Sequence, residues 1–208
     1  MSKFTSHTGV VVPIRHDNID TDQIIPSREM KRVSKLGLGS GLFAGWRYIH
    51  EGPEKAGENP DFVLNQPDYR DASILLGGRN FGCGSSREHA VWALRDFGIR
   101  VIIAESFGRI FRNNCARNRL LAIELPGADI DALEKAAGEV PQEHRLTVDL
   151  EQRRLLSASG QAFDFDIDDF DRLMLLQGLD YIDYTQQFES DIDAFVESDR
   201  ISRPWAHL

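Results

Sequence analysis

The sequence predicts an α/β fold with a small strand meander at the edge of its core. Three observations predict it. Residues 73–125 alternate apolar runs of strand length with segments of helical period, in the order β-loop-α-β-α-β. The run Ile99-Arg100-Val101-Ile102-Ile103-Ala104 is rich in β-branched residues, as strands are. Leu146-Thr147-Val148-Asp149-Leu150 alternates apolar with polar, the signature of a half-exposed strand.

In chain order, Val10 to Ile14 reads as an opening strand, followed by a polar, turn-rich loop from Asp17 to Asp22. After Ile24-Ile25-Pro26, residues 27–41 change character. Arg28, Lys31, Arg32 and Lys35 face one acid, Glu29, and Gly37, Gly39 and Gly41 follow. A solvated loop explains this; a lid that attracts an anionic substrate is the sharper expectation. Residues 51–71, rich in Pro, Gly, Asn and Asp, predict an irregular connection.

Residues 73–76 form a strand that feeds a glycine loop, and a helix is expected from about 86 to 97. A second helix is marked by Phe107, Ile110 and Phe111 and runs to about Arg117; residues 120–125 close the core as a strand. A helix over 129–138, strands near 153–158 and 162–167, a helix ended by Gly178, and a final amphipathic helix through Phe188, Ile192, Phe195 and Val196 complete the chain. Residues 1–208 thus read as a single domain with a helical tail from about 168. The tail is strongly acidic, and a solvated face is its simplest explanation.

A chain of 208 residues with 41% hydrophobic content can build a real core. A net charge of -9 argues against nucleic acid as a partner. No apolar run approaches the roughly 18 residues of a membrane span, and the polar N-terminal segment predicts a cytoplasmic protein. Cys83 and Cys115 provide neither a disulfide framework nor the thiolates of an iron–sulfur or zinc site, so no metal ligands are expected in this chain.

The chemistry concentrates in Gly77-Gly78-Arg79-Asn80-Phe81-Gly82-Cys83-Gly84-Ser85-Ser86-Arg87-Glu88-His89-Ala90. Glycines such as Gly82 and Gly84 let backbone turn tightly and approach a ligand. A helix start offers unpaired N–H groups to an anion, and Arg87 can grip a carboxylate with two hydrogen bonds. Ser85-Ser86-Arg87-Glu88 also fits a capping box, with Ser85 as cap and Glu88 reaching back. The pattern is not a P-loop, a dinucleotide fingerprint or a nucleophile elbow, because lysine, the third glycine and the central serine are each missing. His89 is expected to make a hydrogen bond behind the loop. Asp17, Asp20 and Asp22 lack the twelfth-position glutamate of a calcium loop, since Arg28 stands there, and a turn is expected.

Three segments together carry a resemblance. The stretch from Gly82 to Ala90 resembles the glycine–serine–arginine motif of the aconitase superfamily's swivelling domain. Asp20-Thr21-Asp22-Gln23-Ile24-Ile25-Pro26 is similar to its threonine–aspartate motif, and the stretch from Ser106 to Cys115 to its third recurrent segment. Length, the cysteine in the glycine loop and the tail resemble the small subunits of the isopropylmalate dehydratase family.

The resemblance implies a swivelling β/β/α three-layer domain and a hydro-lyase of leucine biosynthesis. Its activity would need a large subunit carrying a [4Fe–4S] cluster, and its substrate would be a small dicarboxylate. It makes Ser85 the catalytic base and gives substrate carboxylate to Ser86 and Arg87. Thr21 and Asp22 support the site. An arginine of the 28–32 loop, Arg28 or Arg32, takes a second carboxylate, and the same loop, including Met30 and Lys31, recognises the isopropyl or alternative side chain. Homoaconitase and citraconate hydratase small subunits share the same motifs. The residues alone also allow a module that binds an anion without turning it over.

Overall fold

The computed structural model describes residues 3–30, 34–52, 54–138 and 140–207. Its centre is β1 (Ser6–Ile14), a strand shared between two layers. The second half of β1 pairs in parallel with the next core strand, and its first half pairs antiparallel with a late strand. Two short helices follow it, α1 (Thr21–Ile24) and α2 (Ala44–Arg47). Next comes a hairpin of β2 (Tyr48–Glu51) and β3 (Glu54–Glu58). This hairpin corrects the irregular connection expected over 51–71. The alternation in Tyr48–Glu51 was short and was masked by the turn residues around it.

The core then winds through β4 (Ala72–Gly77), α3 (His89–Phe97), β5 (Val101–Ala104), α4 (Arg109–Arg117) and β6 (Leu121–Glu124). It continues with α5 (Gly127–Ala137) and the meander β7 (Leu146–Asp149), β8 (Arg154–Leu156) and β9 (Ala162–Asp164). One sheet results, in the order β6-β5-β4-β1-β7-β8-β9, parallel from β6 to β1 and antiparallel from β1 to β9.

The period of two along the parallel strands builds two cores. Val10, Val12, Leu75 and Ile102 face α3 and α4, where they pack on Ala90, Leu94 and Phe111. Val11, Ile74, Leu76, Val101 and Ile103 face the other way, against Ile130 and Leu133 of α5 and Val148, Leu155 and Phe163 of the meander. Helices α3 and α4, the parallel sheet, and the meander with α5 are therefore three layers, as the resemblance implies. Because the parallel strands are covered on both faces, their apolar runs are continuous.

The tail consists of α6 (Asp169–Gln177), α7 (Tyr181–Gln186) and α8 (Glu189–Ser202). Asp168 caps α6 by accepting from the Phe170 and Asp171 amides, and Gly178, at φ 69°, ends it. A capping box of Asp180 and Asp183 starts α7, a helix too short for its period to show in sequence. The larger apolar residues of α8 are not covered: Ile192, Phe195 and Ile201 are exposed, Val196 is half-buried, and the residue α8 buries is Asp199.

Candidate functional site

The glycine loop lies between the other two motif segments and is stitched to both. On one side the Gly82 amide donates to the Ile19 carbonyl (2.7 Å), and the Thr21 amide donates to the Cys83 carbonyl (2.9 Å). On the other, the Phe81 amide donates to the Ser106 carbonyl and the Gly108 amide to the Phe81 carbonyl, both at 2.9 Å. Gly82 is required here. Its φ is +73°, and a Cβ would stand 2.2 Å from the Phe111 ring. Gly108 is needed for close approach, since its Cβ would lie 2.7 Å from the Gly82 carbonyl oxygen.

This stitching brings Ser85 against α1. The Ser85 amide donates to Thr21 Oγ1 at 3.1 Å, and Thr21 is buried. The helix expected to begin at Ser86 begins instead at His89. Ser85 caps nothing, because its Oγ is taken by Arg87: Nε donates to it at 2.7 Å and the Arg87 amide at 3.3 Å. Glu88 does not reach back; its Oε1 accepts from Asn118 at 3.1 Å. The capping-box expectation is thus overturned by a competing side-chain network that the local pattern does not reveal.

Arg87 organises the site. Besides Ser85, its guanidinium donates to Ser27 Oγ at 2.9 Å and to Asp22 Oδ2 at 2.6 Å. Ser27 Oγ in turn donates to Asp22 Oδ1 at 3.1 Å. Among the described residues, three of the five guanidinium N–H donors are used. Ser86 is exposed beside this group, and its carbonyl accepts from Asn114 of the third segment at 3.3 Å. Ser27 and Asn114 were missed in the sequence. Ser27 had a signal, since it follows Pro26 at the start of a helical turn over Ser27–Glu29, five residues after Asp22.

The remaining predicted residues divide. Arg28 turns to His50 (2.9 Å) and Glu29 (3.7 Å). Lys31 and Arg32 lie outside the described residues. His89 opens α3 with its ring against Trp92, centroids 4.8 Å apart. Its buried Nδ1 has no hydrogen-bond partner among the described residues, so the bond expected behind the loop is not made there. Next to it, Trp92 Nε1 donates to Asn118 Oδ1 at 2.9 Å. The acidic loop before the site is likewise not all turn: Asp20 caps α1 in a capping box with Gln23.

Cys83 sits at the loop's inner edge. Burial and the neighbouring Asp20 carboxylate push its thiol up. Cys115 is buried in α4, and burial pushes its thiol well up too. Among the described residues, no three His, Cys, Asp or Glu side chains are grouped to hold a metal ion. Nor is any helix among them long and apolar enough to cross a membrane.

A glycine loop delivering serine and arginine at the edge of a β/β/α domain defines a class. Residues 1–128 match the aconitase C-terminal domain family. A protein of Cupriavidus necator named 3-isopropylmalate dehydratase small subunit is 55% identical over 208 residues, covering 100% of this chain and 99% of that one. A Roseobacter denitrificans protein of the same name is 48% identical, covering 99% of this chain and 100% of its own. The chain belongs to the family of 3-isopropylmalate dehydratase small subunits. The crystal structure of a Methanocaldococcus jannaschii 3-isopropylmalate dehydratase shares the fold, with a TM-score of 0.65 at 24% identity over 91% of this chain and 98% of that one.

Proposed function

We propose that this chain is the small subunit of a 3-isopropylmalate dehydratase, a hydro-lyase of leucine biosynthesis that works with an iron–sulfur large subunit. In this reading the whole chain acts as one swivel domain, with its helical tail from about 168. One observation carries the reading of the site: Ser85 Oγ receives a guanidinium hydrogen bond from Arg87 at 2.7 Å. A serine so held can exist as an alkoxide. Charge-assisted donors stabilise the anion more than the neutral hydroxyl, which lowers the cost of losing its proton.

The substrate is 2-isopropylmalate. Ser85 Oγ takes a proton from the carbon next to a carboxylate, and the electron pair left behind forms the double bond of 2-isopropylmaleate as the neighbouring hydroxyl departs. Rehydration with hydroxyl and proton exchanged between the two carbons gives 3-isopropylmalate. Ser86 and Arg87 hold a carboxylate, and Asp22 and Ser27 fix the guanidinium plane. Gly82 and Gly84 shape the loop, Thr21 anchors the Ser85 backbone, and His89 supports the start of α3. An arginine of the 28–32 loop takes the second carboxylate, and the loop recognises the isopropyl side chain.

When bound, the large subunit's [4Fe–4S] cluster supplies a Lewis-acidic iron to the substrate hydroxyl. Two separated thiols, one in the core and one with a raised pKa, suit a chain that leaves the cluster to its partner.

The test is reconstitution. The chain is mixed with a cluster-loaded large subunit, and formation of 2-isopropylmaleate is followed by absorbance, with and without Ser85→Ala. Activity that needs both chains and collapses in the variant is the expected result. Activity of the chain alone, or full activity of the variant, overturns the assignment.

A further inference from the structure

We propose that the apolar groove between α7 and α8 is the surface on which the large subunit docks, and that the partner meets it with an apolar ridge edged by lysine and arginine. The proposal rests on the functional reading above. The groove has a volume of about 510 Å³ and is lined by Tyr181, Ile182, Thr185, Glu189, Ile192 and Asp193.

Its apolar side chains face solvent: Ile182 is 70% exposed, Tyr181 46% and Ile192 42%. Large apolar residues gathered on one face of an ordered element mark an interaction site. The element is ordered by its other face. Tyr184 packs edge-on against Phe170 of α6 and against Phe188, with centroids 5.0 and 5.3 Å apart. The Arg117 guanidinium of α4 lies 5.5 Å above the Tyr181 ring.

Charge selects the occupant. Glu189, Asp191, Asp193 and Glu197 flank the apolar residues, and no basic residue occurs between Arg172 and Arg200. A second copy of this chain would set acid against acid, a costly juxtaposition. A partner with a basic rim is attracted instead. The surface is also continuous with the site. The outward residues of α4, namely Ile110, Asn113 and Arg117, are exposed. They run from Gly108, beside the glycine loop, to Tyr181. The tail lies beyond residues 1–128 that match the aconitase C-terminal domain, yet the small-subunit relatives match over the full chain. The small-subunit relatives therefore extend over the tail as well as over the matched domain.

The experiment titrates the full-length chain, wild type, Ile182→Asp and Ile192→Asp, against the cluster-loaded large subunit by calorimetry at two salt concentrations. Each variant is expected to weaken association by roughly tenfold or more, with unchanged melting temperature and with wild-type kcat once the large subunit saturates. Added salt is expected to weaken the wild-type complex. Wild-type affinity in both variants, or loss only of self-association, overturns the proposal. An active wild-type pair with unaffected variants removes the interface and leaves the function. A wild-type pair that binds through the groove but does not convert 2-isopropylmalate removes the function and leaves the interface.

Discussion

Arg87 Nε donates to Ser85 Oγ at 2.7 Å, so the group assigned as base is held as an acceptor by a permanent cation two residues away. The two residues form one device, and their substitutions should not add. Ser85→Ala and Arg87→Gln are each expected to lower kcat of the reconstituted pair by about 10² to 10³ or more, the scale for losing a charge-stabilising donor. The double variant should be barely worse than the worse single one. A double variant whose loss is the product of the single losses would show the two acting separately.

Asp22 acts through Arg87. Its carboxylate accepts from the guanidinium at 2.6 Å and from Ser27 at 3.1 Å, on a side chain 55% exposed. Exposed ion pairs add little to stability, so Asp22→Asn should leave the melting temperature near wild type. Activity should nevertheless fall by roughly tenfold, about the worth of one charge-assisted hydrogen bond, because the guanidinium plane loses its alignment. Ser27→Ala should do the same to a smaller degree. Thermal melts beside steady-state kinetics separate positioning from folding, and equal losses in both would point to folding.

Gly82→Ala is the opposite case. The added methyl meets the Phe111 ring at 2.2 Å in a left-handed backbone conformation. Overpacking and the positive φ together predict about 2 to 4 kcal/mol of destabilisation. Urea unfolding of the isolated chain measures it; a loss under 1 kcal/mol would mean that loop and ring shift freely.

The order of core strands and helices was legible because burial on both faces writes continuous apolar runs into β4, β5 and β6, and solvent on one face writes alternation into β7. The start of α3 was not. Ser85-Ser86-Arg87-Glu88 satisfies a local capping rule, but Ser85 Oγ is claimed by Arg87 and Glu88 by Asn118, a partner thirty residues away. Ser27 and Asn114 joined the site only because three separate segments converge, which no single segment records. The period of Phe188, Ile192, Phe195 and Val196 predicts the last helix, but period does not say what covers an apolar face, and α8 leaves Ile192 and Phe195 in solvent.

Cys83 invites a reactive role that its surroundings oppose. Burial first, and then the Asp20 carboxylate, disfavour the thiolate. Iodoacetamide should therefore alkylate Cys83 more slowly than free cysteine at neutral pH, with the rate rising as pH increases past the ordinary thiol value of about 8.5. Cys83→Ala should keep most of the activity. Faster-than-free alkylation at pH 7, followed by mass spectrometry, would contradict this environment.

His7 links β1 to β4 through Ser73, with Nε2 to Oγ at 2.8 Å. Burial, and then the charge of Arg100, hold its pKa below the ordinary histidine value of about 6.5. The folded chain therefore refuses a proton that the unfolded chain accepts. This contribution to stability is fully present above about pH 6.5. It is lost as pH falls from there toward the lowered folded value, because the unfolded state binds more protons in that window. His7→Gln keeps an amide able to bond Ser73 and removes the titration. Urea unfolding at pH 7.5 and 5.5 should show the wild type losing more stability than the variant across that interval. Equal losses in the two proteins would place the neutral-to-acid dependence on other groups, whereas a wild-type excess confined to this window assigns it to the strand pair at the centre of the sheet.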